Sequence, residues 1–260
     1  MKQKFVRKED DNIVVNVENT NTTGHEIKHH DPSNVYSSWK ETPRNKYVST
    51  IMTLDKVFTS EECDWIIGLQ KTWNKLESTV DKGEHAVYDP AIRNITIYEW
   101  GAEDSTFEVK RTRDSYVPTD TENTKTTMVS VFTENDLFLK LDEVITAVNR
   151  EIYHFDVRDM LEVPTLMKYD SINEGHFDFH IDIGYEEPAC WRKLGWSLML
   201  NDDFEGGDLK IKTGANSKQT FEPKKCRLTI FPSYLLHSIT PVTSGKRWSL
   251  VGFHHGPAFR

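Results

Sequence analysis

The run His176-Phe177-Asp178-Phe179-His180-Ile181-Asp182 alternates polar and apolar residues, and every polar member is a histidine or an aspartate. In an extended strand, successive side chains point to opposite faces. Phe177, Phe179 and Ile181 are then expected to enter a packed core, with His176, Asp178, His180 and Asp182 on the other face. Side chains two residues apart on one face can reach a single ion. Two imidazoles and two carboxylates are too costly to bury unpaired. That face must be solvated, hydrogen-bonded or bound to a metal.

Later residues favour the metal. His237 lies 57 residues beyond His180, in the stretch "IFPSYLLHSITPVTSGKRWSLVGF". Arg247 follows ten residues on, and Ser249 two after that, on the same face of one expected strand. Two histidines and one carboxylate around a metal with open positions suit non-haem Fe(II) oxygen chemistry. An arginine across the cavity suits a bidentate ion pair with a dicarboxylate. Spacing alone leaves two overlapping pairs in play, His176 with Asp178 and His180 with Asp182.

The elements that must position these residues are legible in outline. "TSEECDWIIGLQKTWNKL" predicts a helix: Thr59 and Glu62 have capping-box spacing, and Ile66, Leu69, Trp73 and Leu76 form an apolar stripe. "FTENDLFLKLDEVITAVNREI" predicts a second, with Thr133 as cap, Phe132 and Leu137 at staple positions, and a stripe of Phe138, Leu141, Ile145, Val148 and Ile152. Both stripes read as core. "RNITIYEW" predicts a strand between them. The polar segment Gly101–Thr127 follows it, either a surface loop or a substrate lid, with Arg111, Arg113, Tyr116 and Pro118 as its candidate contacts. Beyond Met160, short runs such as "VPTLMKY", "GWSLMLN", "GDLKIK", "CRLTIF" and "RWSLVGF" alternate with Gly/Pro turns. This texture predicts an α+β chain with a mostly β core, a sandwich or jelly roll with two helices against one sheet.

Composition narrows the class. The 260 residues hold 32 basic and 41 acidic side chains, a net charge of −9, which argues against nucleic acid or an anionic membrane as the main partner. Three cysteines, Cys63, Cys190 and Cys226, offer neither a disulfide framework nor a zinc motif. The start "MKQKFVRKEDDN" lacks a signal-peptide core, and no apolar run reaches spanning length. A soluble cytoplasmic protein is expected. Residues 1–46 are polar and read as an N-terminal arm or extension, with 47–260 as a single domain. His29 and His30 in the arm read as exposed loop residues, because no further ligand sits at suitable spacing.

With these residues assembled, the chain resembles the Fe(II)/2-oxoglutarate-dependent dioxygenases, in particular the prolyl 4-hydroxylase-like group. The resemblance runs from about Met52 to Phe259 and is clearest from Leu166. It is carried by Tyr169, Gly175, Phe177 and the His180-x-Asp182 pair, then "RKLGWS", "MLNDDFEGGDL", "FPS", His237, "PVTSG" and Arg247. It selects His180 and Asp182 over His176 and Asp178, which then become cavity-mouth or supporting groups. The resemblance implies a double-stranded β-helix with Fe(II) held by His180, Asp182 and His237. It also implies 2-oxoglutarate on Arg247 with help from Tyr169 and Ser249, O2 as co-reactant, and ascorbate as an accessory reductant. The implied reaction hydroxylates an unactivated C–H bond and releases succinate and CO2. A peptidyl proline is the first candidate substrate, and a free amino acid or another protein side chain the second. A non-catalytic metal-binding jelly roll is the alternative from another class, which an intact Arg247 disfavours. The chain departs from the pattern at Met199, where many relatives carry a tyrosine, at Cys226, where a turn glycine is common, and in a Tyr-to-His interval one residue longer than in some relatives.

Overall fold

The structure, a computed structural model, describes residues 4–7, 13–16, 26–27, 47–78, 80–81, 86–87, 89–101 and 133–259. The chain divides into two units, Met1–Asn45 and Lys46–Arg260. In the first, β1 (Lys4–Arg7), β2 (Ile13–Asn16) and β3 (Glu26–Ile27) form an antiparallel sheet in that order. His29, His30, Phe132 and residues 102–127 of the expected lid segment lie outside the described residues.

The second unit is a double-stranded β-helix. Its strands in chain order are β4 (Met52–Asp55), β5 (Asn74–Glu77), β6 (Val80–Asp81), β7 (Ala86–Val87), β8 (Thr96–Glu99), β9 (Thr165–Asp170), β10 (Phe177–His180), β11 (Arg192–Met199), β12 (Glu205–Gly206), β13 (Leu209–Gly214), β14 (Ser217–Phe221), β15 (Arg227–Pro232), β16 (His237–Ile239), β17 (Val242–Ser244) and β18 (Lys246–His255). A seven-stranded sheet runs β4-β15-β11-β18-β9-β8-β5, and a four-stranded sheet runs β10-β16-β13-β14. β6 with β7 and β12 with β17 make small ribbons, and every pairing is antiparallel.

The helices α1 (Ser60–Gly68) and α2 (Glu134–Val148) begin where the caps predict. Thr59 and Thr133 each accept from the backbone three residues on, and Glu62 and Asp136 reach back to the cap N–H, so two otherwise orphaned donors are satisfied at each start. Ile66, Phe138, Leu141 and Ile145 pack on Leu194, Leu198, Ile230 and Leu250 of the large sheet. Its other face meets the small sheet through Tyr169, Ile211, Phe231, Ile239 and Val242. A sheet covered on both faces explains why Leu194–Met199 of β11 and Trp248–Phe253 of β18 read as continuous apolar or small residues.

Two expectations are corrected. The first helix was expected to continue through Leu76. It ends at Gly68 and one tight turn, and Asn74–Glu77 instead pairs with β8, with Leu76 opposite Ile97 and 42% exposed. The unpaired edge of β8 offers a full set of backbone partners that a helix end lacks, and this tertiary pairing overrides the helical spacing. The strict alternation in "HFDFHID" also fails. β10 pairs with β16 at Phe177–Ile239 and His180–His237, with a register shift between those pairs. The shift brings Phe177 and His180 to the same side, their rings stacked at 3.6 Å between centroids. Phe179 and Ile181, expected in the core, are 41% and 48% exposed.

Candidate active site

His180 closes β10 and His237 opens β16, and the two residues stand opposite each other in the ladder. Asp182 lies two residues beyond the end of β10. The ligand atoms of His180, Asp182 and His237 all lie within 4.8 Å of one another. Nε2 of His180 is 3.6 Å from one Asp182 carboxylate oxygen, and Nε2 of His237 is 3.5 Å from the other. Each Nδ1 lies against a backbone carbonyl, Asp178 O at 2.8 Å and Leu235 O at 2.9 Å. A carbonyl only accepts, so each Nδ1 carries the proton and each Nε2 turns a lone pair toward Asp182. Burial, and then the neighbouring His237, push the His180 imidazole down to about 3, so it is neutral over the working pH range. Burial pushes the Asp182 carboxyl up, against the pull of the Arg192 and Arg93 guanidiniums. Two neutral nitrogen donors and one desolvated carboxylate gain from a divalent cation among them, so the donor set fits the expected metal.

His176 and Asp178 are not brought into this cluster. Both ring nitrogens of His176 face carbonyls, Glu174 O at 2.8 Å and Ala91 O at 3.1 Å. The Asp178 side chain is exposed, while its backbone N–H donates to Ile92 O at 2.9 Å. These two residues tie β10 to the segment before β8.

The clustered residues line a cavity of about 780 Å³ that Tyr169, Arg247 and Ser249 also line. Arg247 is 1% exposed. Its Nε donates to Gly207 O at 3.0 Å, its Nη1 donates to Ser249 Oγ at 2.8 Å, and its buried Nη2 has no hydrogen-bond partner. Its guanidinium sits 4.8 Å from the Tyr169 ring centroid. The Tyr169 hydroxyl contacts Met167 Sδ at 3.6 Å. Ser249 accepts from Arg247 and keeps its own hydroxyl proton to donate. Met199, opposite Ser249 in the ladder, brings no hydroxyl, as the sequence indicates. A buried cation with an unsatisfied N–H and no ion pair among the described residues is costly unless a ligand carboxylate completes it.

Sequence reasoning passed over several cavity residues. Arg93 lies 4.6 Å over the Phe177 ring, which in turn stacks on His180. Glu99, Glu162 and Arg192 also line the cavity. Gly195 of β11 is the floor beneath Asp182, where a Cβ would stand 2.8 Å from Oδ2. A glycine interrupting the apolar run "RKLGWSLML" was the available signal, since a glycine inside a strand often marks a close approach. Gly195→Ala is expected to weaken Co(II) or Fe(II) binding by about tenfold or more, as displacement of a ligand's support does. Metal titration checks it, with an unchanged affinity showing that Asp182 has room to shift. His254 and His255 are both buried and paired with carboxylates, Asp142 and Glu162 respectively.

The comparisons with known proteins agree with this geometry. Residues 164–255 match the profile of the 2OG-Fe(II) oxygenase superfamily. A PKHD-type hydroxylase of Synechococcus sp. (strain CC9605) is 33% identical over 79 residues, which is 30% of this chain and 35% of that protein. A PKHD-type hydroxylase of Synechococcus sp. (strain CC9311) is 38% identical over 82 residues, 31% of this chain and 36% of that one. The chain thus spans about a third of the length of these curated relatives. Among solved structures, the fold resembles a prolyl hydroxylase from Trichoplax adhaerens in complex with a peptide fragment of the hypoxia inducible factor oxygen degradation domain. That match has a TM-score of 0.56 at 13% identity, over 87% of this chain and 94% of that one. A prolyl-4-hydroxylase of Pseudomonas putida matches with a TM-score of 0.50 at 15% identity, over 80% and 93% of the two chains. Fold and site together give a double-stranded β-helix with a His-Asp-His cluster that could hold a metal ion. Over residues 164–255 the chain is similar to the 2OG-Fe(II) oxygenase superfamily, and its fold is like that of these solved structures.

Proposed function

We propose that the protein is an Fe(II)- and 2-oxoglutarate-dependent hydroxylase acting on a peptidyl prolyl residue. The observation that carries the reading is Arg247. A metal site alone has no use for a buried guanidinium with an unsatisfied Nη2 on the wall of the same cavity, whereas a cosubstrate dicarboxylate does. This supports the reading over a non-catalytic metal-binding jelly roll. His180, Asp182 and His237 would hold Fe(II) through Nε2, a carboxylate oxygen and Nε2. Bound there with 2-oxoglutarate and O2, Fe(II) supplies oxidative decarboxylation to succinate and CO2 and the oxidising power for C–H hydroxylation.

The chain's own groups bind, orient and exclude water. Arg247 pairs with the distal carboxylate of 2-oxoglutarate, Ser249 donates its hydroxyl proton to that carboxylate, and the Tyr169 ring packs beside the pair. The Nδ1 carbonyl contacts hold both imidazoles in the ligating tautomer. Phe177 stacks on His180 and keeps water from that side of the ligand. Ascorbate would serve as an accessory reductant. Proline in a peptide is favoured by the hydroxylase and prolyl hydroxylase names borne by the relatives and fold neighbours. A free amino acid is the second candidate. The test incubates the purified protein with Fe(II), 2-oxoglutarate and separate panels of proline-containing peptides and free amino acids. Succinate release coupled to a gain of one oxygen on a peptidyl proline is the expected result. Coupling only to free amino acids would shift the substrate assignment. Metal binding with no succinate under any condition would favour the non-catalytic module.

A further inference from the structure

We infer that Arg192 is a positioning residue for the metal-binding carboxylate, holding the main chain of Asp182 while Glu162 and His255 hold Arg192. The inference rests on the iron site proposed above. β10 ends at His180, so Asp182 projects from chain that has left the ladder. Two contacts replace the ladder. The Asp182 N–H donates to Ser233 O at 3.0 Å, and the Asp182 carbonyl accepts from Arg192 Nη1 at 2.9 Å. The other two nitrogens of the Arg192 fork are engaged as well. Nε and Nη2 donate to the two carboxylate oxygens of Glu162 at 2.6 and 2.5 Å, and the guanidinium lies 3.8 Å from the Phe253 ring centroid. Glu162 is fixed in turn by His255 Nε2 at 2.8 Å, and His255 Nδ1 accepts from the Leu161 N–H at 3.1 Å, which sets its tautomer. The metal carboxylate is thus tied through a planar, bidentate cation to the end of β18. A rigid fork of this kind fixes direction as well as distance, which a lysine at the same place does not.

The test is Co(II) titration of the metal-free protein, with its visible absorption as the report of ligand geometry, alongside thermal unfolding. Arg192→Met is expected to weaken Co(II) binding about 10–100-fold and to alter the spectrum. Arg192→Lys, which keeps the charge and most of the volume, should also lose affinity, and Glu162→Gln should fall between it and the wild type. A merely structural role would lower the unfolding temperature and leave affinity and spectrum of the folded fraction as in the wild type, and that result in Arg192→Lys overturns the inference even where Arg192→Met fails to fold. A wild type that binds no Co(II) through His180, Asp182 and His237 overturns the iron-site reading itself. Normal wild-type binding with unaffected Arg192 variants overturns only the positioning role.

A separate observation carries a second inference. The thiols of Cys63 and Cys226 form, we propose, an oxidation site at which a hydroperoxide closes an intramolecular disulfide. Their sulfurs are 3.5 Å apart, Cys63 buried in α1 and Cys226 on the turn before β15. Cys226 adopts φ 66°, a left-handed conformation that glycine takes without strain. The half-buried Cys226 thiolate attacks the peroxide O–O bond, giving a sulfenic acid and, after protonation of the leaving oxygen, water. The Cys63 thiol then attacks that sulfur, forming S–S and releasing a second water. Two thiols and one hydrogen peroxide become one disulfide and two waters. The bond joins α1 to the start of β15, across residues far apart in sequence, so unfolding should rise by on the order of 5–10 °C.

The experiment treats the full chain, in a Cys190→Ser background, with hydrogen peroxide. The expected result is loss of two hydrogens, a Cys63–Cys226 linked peptide in a non-reducing map, and a raised unfolding temperature that a thiol reductant reverses. Cys226→Gly, which suits the turn, should fold and show no rise. Oxygen addition at Cys226 without a linked peptide, disulfides only between chains, or an equal rise in Cys226→Gly overturns the site.

Discussion

Alanine at His180, Asp182 or His237 is expected to abolish succinate formation while leaving the fold intact. Each removes one of three donor atoms that lie within 4.8 Å of one another, so the loss in metal affinity should exceed the roughly 10–100-fold that loss of a supporting group causes. His237 is cross-strand from His180, and neither imidazole is part of the large hydrophobic cluster under the helices, so the sheet should survive truncation. The informative control is His176→Ala. It has the same residue type and the same spacing to an aspartate, but its ring is occupied with Glu174 O and Ala91 O. It should keep wild-type metal affinity. Isothermal titration with Co(II) and a succinate assay decide the matter. Retained metal in His180→Ala with loss in His176→Ala would move the site by one pair along the strand.

The second large effect belongs to Arg247. Removing the charged partner of a buried carboxylate costs on the order of 2–5 kcal/mol, which corresponds to a loss of about 30- to several-thousand-fold in 2-oxoglutarate affinity. Metal affinity should change little, because Arg247 contacts Gly207 and Ser249 and not the ligand cluster. Arg247→Lys should recover only part of the loss: it restores charge but not two parallel donors. Titration of 2-oxoglutarate into the metal-loaded variants measures it. Equal affinities for wild type and Arg247→Ala would place the cosubstrate elsewhere in the cavity. Because Arg247 is nearly inaccessible and Gly207 leaves room for its stem, with a Cβ there 2.9 Å from Arg247 Cδ, the unfolding temperature of each variant has to be recorded beside its affinity.

The chemistry of the site was legible in residue types and intervals. His180 with Asp182, the later His237, and Arg247 two residues before Ser249 were singled out by residue type, interval and the family resemblance; strand geometry puts Arg247 and Ser249 on one face, whereas Asp182 lies beyond the end of β10. The caps at Thr59 and Thr133 were equally local, since a hydroxyl and an acid three residues apart satisfy orphan N–H groups without reference to the rest of the chain.

What the sequence did not contain was the outcome of competition between distant segments. Leu76 has helical spacing from Trp73, but the open edge of β8 lies in reach only once the sheet exists, and pairing there wins. Phe179 and Ile181 have strand alternation, but the register shift against β16 belongs to two strands jointly, and it sends both side chains to solvent while bringing Phe177 beside His180. Gly195 carries no chemistry of its own, and its importance is the space left for the Asp182 carboxylate. Arg192, Glu162 and His255 are far enough apart in sequence that no interval links them, and the hydrogen bonds that join them to Asp182 exist only in three dimensions. The sequence by itself supplied the residues proposed to bind metal and cosubstrate. The tertiary structure brings only one of the two histidine–aspartate pairs to His237, because both ring nitrogens of His176 lie against backbone carbonyls whereas Nε2 of His180 is left open beside Asp182.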